Sequence, residues 1–131
     1  MQMELIYLDE DQAELADALN AFVRGVHEEN ERWWQDVNTG EPIERNVGEL
    51  LMLVVSEVAE AMEADRKGLQ DDKLPWRDGL TVELADAVIR IFDMAGGLDL
   101  DLGGAFVEKL IYNRNRIDHT PEHRRNGGKR Y

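Results

Sequence analysis

The sequence contains no cysteine. Disulfides, thiolate metal sites and cysteine nucleophiles are therefore excluded. Long apolar runs are also missing. The longest, Leu50–Val55, falls far short of the ~20 residues that span a bilayer. The opening Met1-Gln2-Met3-Glu4 offers neither a basic n-region nor an apolar h-region, so a secretory signal is not expected and a cytoplasmic protein is. There is no repeat of 20–50 residues, no low-complexity tract and little strand-like alternation. A glycine-rich phosphate loop of the Walker type is absent. The three histidines, His27, His119 and His123, lack the spacing of a zinc site or a hydrolase triad. The adjacent His-Asp of histidine–aspartate triphosphohydrolases is missing too, Asp118-His119 being the reverse order.

What is present is a 131-residue chain with 43% hydrophobic and 33% charged residues, the composition of one globular domain, 1–131. Its formal charge is −13, which repels nucleic-acid phosphates, so neither nucleic acid nor membrane is an expected partner. The charge is unevenly placed. Residues 113–131 carry six basic and two acidic side chains, whereas residues 1–112 carry nine basic and twenty-six acidic ones. Such a pattern suits a solvated acidic surface with a loose end. It equally suits carboxylates that bind cations beside a basic tail that binds an anion.

The 3.6-residue period predicts an all-α chain, a four-helix bundle with an irregular basic C-terminal arm. Helices are expected over about 10–34, 47–67, 80–95 and 102–117, followed by an arm over 118–131. Leu15, Ala18, Leu19, Phe22, Val23 and Val26 make one apolar stripe on the first. Asp9 or Asp11 is placed to cap it, Asn46 to cap the second, and Gly68 to end the second. The run Leu50–Val55 is apolar all round, which predicts that the second helix is central and buried.

Two acidic pairs interrupt these apolar helices, Glu57 with Glu60 and Glu83 with Asp86, each at i, i+3 and so on one helix face. Acidic pairs are common on solvated faces. A carboxylate beside a core, however, must find a cation or take up a proton. If the two helices pack antiparallel, four carboxylates meet on one patch, and all-oxygen ligation suits Mg²⁺ or Mn²⁺. The Glu-x-x-His of di-iron bundles does not occur. Glu63 continues the Glu57/Glu60 face, while Glu49, Asp65 and Asp93 read as surface or secondary.

Lys109, Asn113 and Arg116 form a polar stripe at i, i+4, i+7, suited either to phosphate oxygens or to the C-terminal end of a helix dipole. Lys129 and Arg130 follow Gly127-Gly128, where the backbone can approach a ligand closely. Trp33, Trp34 and Trp76 read as core or interface anchors, or as stacking partners for a nucleobase. His27 lies seven residues before Trp34 on the same face.

Taken in order, Glu57-Val58-Ala59-Glu60, a spacer of twenty-two residues and Glu83-Leu84-Ala85-Asp86 resemble the signature of the MazG-type all-α nucleoside triphosphate pyrophosphohydrolases. The stretch Gly48–Lys67, the segment Lys109–Arg116 and the ending HRRNGGKRY are similar to that family's metal-binding helix, phosphate-side helix and short phage and bacterial termini. The likeness runs from about Phe22 to Tyr131. It implies hydrolysis of a (deoxy)nucleoside triphosphate to the monophosphate and pyrophosphate by water attack on the α-phosphorus, with purine (guanine) deoxynucleotides as one candidate class. It implies Mg²⁺ or Mn²⁺ held by Glu57, Glu60, Glu83 and Asp86, with Glu57 or Glu60 handling the proton of the water. It carries Lys109, Asn113, Arg116, Lys129 and Arg130 over to phosphate binding, and Trp34 to the base. A homodimer or homotetramer, in the cytoplasm of a bacterial cell or phage-infected host, is the implied setting. The contrasting expectation is a non-catalytic acidic helical module that binds a basic partner.

Overall fold

A computed structural model describes residues 4–131. Met1–Met3, on which the reading of the N-terminus partly rests, lie outside the described residues. The described residues are all-α. The helices are α1 (Glu10–Glu29), α2 (Val47–Lys67), α3 (Gly79–Gly97), α4 (Leu102–Arg114) and α5 (Pro121–Arg125), with single 3₁₀ turns at Glu31–Trp34 and Ile117–His119. No helix among them is long and apolar enough to cross a membrane.

Local chemistry sets the helix ends. Asp9 accepts from the Gln12 backbone N–H at 2.8 Å and the Gln12 side chain accepts from Asp9 N–H at 2.9 Å, a reciprocal capping box. Asn46 caps α2 through Glu49 N–H, and Asp78 caps α3 through Thr81 N–H. Gly68 closes α2 in the left-handed region at φ 60°, where a side chain would be strained.

Two ends differ from expectation for one reason. Helix 10–34 stops at Glu29 because the Asn30 side chain donates to the Val26 carbonyl at 2.8 Å and so competes for helical hydrogen bonding. The helix expected to reach residue 117 stops at Arg114, where Asn115 does the same to the Ile111 carbonyl at 3.2 Å. The C-terminal segment, expected to be irregular, holds α5, capped by Thr120 with Pro121 in its first turn.

The chain falls into two compact units. One comprises residues 22–100, and the other joins the chain up to Ala21 with Asp101–Tyr131. In the first, α2 and α3 pair antiparallel. Ala64 lies near the start of α3 against Gly79, and Glu57 meets Arg90 further along. The pair closes over Leu50, Glu57, Ala61 and Ala64 from α2 with Gly79, Ala87 and Ala95 from α3. The expectation that α2 is buried all round is not met within one chain. Leu51, Val55, Val58 and Met62, at i, i+4, i+7, i+11, form a second stripe that is half or more exposed. The α3 face carrying Leu84, Val88 and Ile91 is exposed as well. The reason is geometric: α3 covers one side of α2 only. Phe22 and Leu15, expected in the α1 core stripe, are also exposed, while Ala16 and Val23 are buried.

In the second unit the start of α4 lies against the first half of α1. Gly103 N–H donates to the Asn20 side chain, which in turn donates to Asp101. A Cβ at Gly103 would sit 2.1 Å from the Ala16 carbonyl oxygen, so only glycine permits this approach. Gly103→Ala is expected to destabilise the protein by about 2 kcal/mol, read by urea unfolding. An unchanged midpoint would show that α4 does not sit this close to α1.

Candidate metal centre

Glu57 and Glu60 lie near the middle of α2, and Glu83 on the second turn of α3. The antiparallel pairing brings one carboxylate oxygen from each within 4.8 Å of the others. Glu57 is buried, Glu83 is half-buried and Glu60 is exposed. Asp86 stands beside this trio but outside it, so three of the four expected carboxylates converge. Glu63 does not join them. It is engaged by Lys67 at 2.5 Å and Arg66 at 3.4 Å on its own helix.

The trio is electrostatically unbalanced. Burial, then hydrogen bonding with the Glu57 carboxyl and the charges of Glu60 and Glu57, push the Glu83 carboxyl up to about 7. Glu83 Oε2 is buried and has no hydrogen-bond partner. Burial, with the charges of Glu57 and Asp71, also pushes Asp86 up, while Arg90 opposes the rise. Three convergent carboxylates, one of which also carries an unpartnered buried oxygen, make a donor set of the kind a hard divalent cation satisfies.

Next to the trio opens a pocket of about 490 Å³ whose lining includes Glu57, Asp86, Arg90, Asp93, Arg45 and Trp33. Trp34, the expected base partner, is used differently. Its indole N–H donates to Asp93 at 3.0 Å, its ring meets His27 edge-on at 5.3 Å, and Arg45 lies 5.6 Å above it. Asp93 also meets His27 Nδ1 at 2.9 Å. Trp33, 58% exposed, is the tryptophan on the pocket wall, and Trp76 is exposed away from that lining.

No protein-family model, curated protein or solved structure matches this chain.

The expected phosphate ligands all belong to the other unit. Lys109 Nζ lies 4.7 Å from the Tyr112 ring centre, with the Arg116 guanidinium 5.8 Å from the same centre. Asn113 Oδ1 is buried without a partner. Arg116 is bonded through Nε and Nη2 to Asp118, and Lys129 Nζ lies 4.0 Å from the same carboxylate. That pairing holds the Asp118 carboxyl at about 2. An anion would therefore have to compete with Asp118 for Arg116. Arg130 is exposed and, with Arg124, Arg125 and Lys129, lines a basic concavity.

Sequence reading missed Arg90 and treated Asp93 as surface. Arg90 Nε donates to Glu57 Oε1 at 2.7 Å across the α2–α3 pair. A cation at i+4 from Asp86 on an otherwise apolar helix was the available signal for it.

Proposed function

We propose that this chain hydrolyses a (deoxy)nucleoside triphosphate between its α and β phosphates, as an all-α pyrophosphohydrolase of the MazG type. The convergence of Glu57, Glu60 and Glu83, with a buried Glu83 oxygen left unpartnered, carries this reading. Glu57, Glu60 and Glu83 would hold Mg²⁺ or Mn²⁺, with Asp86 beside them. Such an ion, when bound, offsets charge on phosphate oxygens and makes water more acidic.

The chain's own residues supply the rest. Glu57 is oriented by its bond from Arg90 Nε. Glu60 is the exposed member of the trio, so it is the acceptor for the proton of the attacking water. Water oxygen bonds to the α-phosphorus in line, the bond from that phosphorus to the bridging oxygen breaks, and pyrophosphate leaves. The base lies against Trp33, guanine deoxynucleotides being one candidate.

The exposed stripes on α2 and α3 favour self-association, as a homodimer or homotetramer. A cytoplasmic setting, in a bacterial cell or phage-infected host, belongs to the same proposal.

The test is a panel of canonical and modified triphosphates with Mg²⁺ or Mn²⁺. Monophosphate and pyrophosphate are expected in equal amounts, EDTA is expected to stop their release, and light scattering is expected to give a multiple of 15.0 kDa. Orthophosphate as the first product, or no turnover of any triphosphate, would overturn the reading.

A further inference from the structure

The pocket beside the carboxylate trio presents a charge problem to any phosphorylated ligand. Its lining holds the acids Glu57, Asp86 and Asp93, answered by two cations, Arg45 and Arg90. Arg45 is committed: its Nη1 donates to the Trp33 carbonyl at 3.0 Å and its guanidinium lies over Trp34. Arg90 is engaged differently. Its Nε alone meets Glu57, in a single contact rather than a fork, and no other hydrogen bond takes its guanidinium among the described residues. The side chain is 40% exposed, against 12% for Glu57, so one edge is anchored and the other is open.

Position along α3 gives the open edge a role. Glu83 sits at the trio, Asp93 at the Trp34 end and Arg90 between them. At ~1.5 Å of rise per residue, the Arg90 backbone lies about 10 Å along the axis from Glu83 and about 5 Å from Asp93, and its side chain reaches back to Glu57, so the guanidinium stands at the edge of the trio. A nucleotide with its triphosphate at the trio and its base toward Trp33 must pass its first phosphate over this guanidinium. We infer that Arg90 is a substrate-binding residue, its free Nη edge taking a non-bridging oxygen of the phosphate nearest the sugar while its Nε keeps Glu57 in place.

Planar, forked donors suit a phosphate better than the point charge of a lysine. The inference rests on the proposed reading of the site and goes beyond it, since the residues carried over to phosphate binding all belong to the other unit.

The test measures binding without turnover, by calorimetry, on wild type, Arg90→Gln and Arg90→Lys. The probes are Mn²⁺ alone and the α,β-imido analogues of the four deoxynucleoside triphosphates with Mn²⁺. Arg90→Gln is expected to weaken the best analogue about tenfold or more, with Mn²⁺ affinity alone changed by no more than about threefold. Arg90→Lys should fall between wild type and Arg90→Gln, and it keeps the test alive if the unpaired Glu57 of Arg90→Gln prevents folding. Analogue affinity unchanged in a folded variant would overturn the role of Arg90 and leave the pyrophosphohydrolase reading standing. Equal losses of Mn²⁺ and analogue affinity would overturn it too, because Arg90 would then act only through Glu57. A wild type that binds no analogue would sink both.

Discussion

Glu57→Gln is expected to lower the turnover of any accepted triphosphate by at least about 10³-fold while leaving the helical content intact. The substitution keeps shape and volume but removes the one buried charge of the trio. It also turns the 2.7 Å ion pair with Arg90 into a weaker contact. The same variant should lose the upward shift in melting temperature that Mn²⁺ gives wild type, because a ligand that binds only the folded state stabilises it in proportion to its affinity. Glu63→Gln is the matched control. Glu63 lies one turn along α2 from Glu60 but is spent on Lys67 and Arg66. Its loss should change turnover by less than about twofold, since exposed ion pairs on one helix contribute little. Pyrophosphate release separates the two cases. Full turnover in Glu57→Gln, or equal losses in both variants, would mean that the trio is not the reacting centre.

The contrast between Glu57 and Glu63 shows which parts of the site were legible in the sequence. Spacing at i, i+3 makes Glu60 a neighbour of both Glu57 and Glu63, and nothing local ranks the two pairs. The ranking comes from α3, whose register sets Glu83 opposite the first two. That register follows from the length of the loop that Gly68 opens and Asp78 closes. Arg90 was illegible for the same reason: its partner is 33 residues away, and only the antiparallel pairing makes them neighbours. Asp93 looked like surface because acids on a short acidic chain usually are. Its engagement by both His27 and Trp34 depends on the chain turning back after Glu29, and that turn was hidden in an Asn30 side chain that competes with the helix.

Helix positions were easier, because they depend on apolar period and capping residues, both local. Burial was not local, and there the periodicity misled. An all-round apolar helix such as α2 demands cover on every side, but the number of chains that provide it is not written in the stripe. Within one chain α2 gains cover from α3 on the Leu50/Ala61 side, while Leu51, Val55 and Val58 are left half exposed. Unmet apolar area of that extent along a 21-residue helix is the ground on which self-association is proposed.

The metal-free protein is expected to become less stable as pH rises from 5 to 8. Glu83 has an ordinary carboxyl value of 4.5 and a folded value pushed up to about 7. Between those values the folded chain holds more protons than the unfolded one, so stability falls with rising pH. The contribution is fully present below 4.5 and is lost as pH passes through about 7. A full shift of that size corresponds to ~3 kcal/mol, and partial solvent access at Glu83 reduces the expected loss to about 1–3 kcal/mol. Asp86 moves in the same direction and adds to the slope. Asp118, held at about 2, changes stability only at more acid pH, outside this window. Urea unfolding at a series of pH values reads the effect. Glu83→Gln should flatten the curve and leave the metal-free variant more stable than wild type at pH 8. With saturating Mn²⁺ the wild-type slope should reverse, since protons and the ion compete for the same oxygens. A wild-type curve without slope over this range, or a Glu83→Gln curve parallel to it, would mean that these carboxylates do not crowd one another in solution, and the site would lose its electrostatic reason to bind a cation.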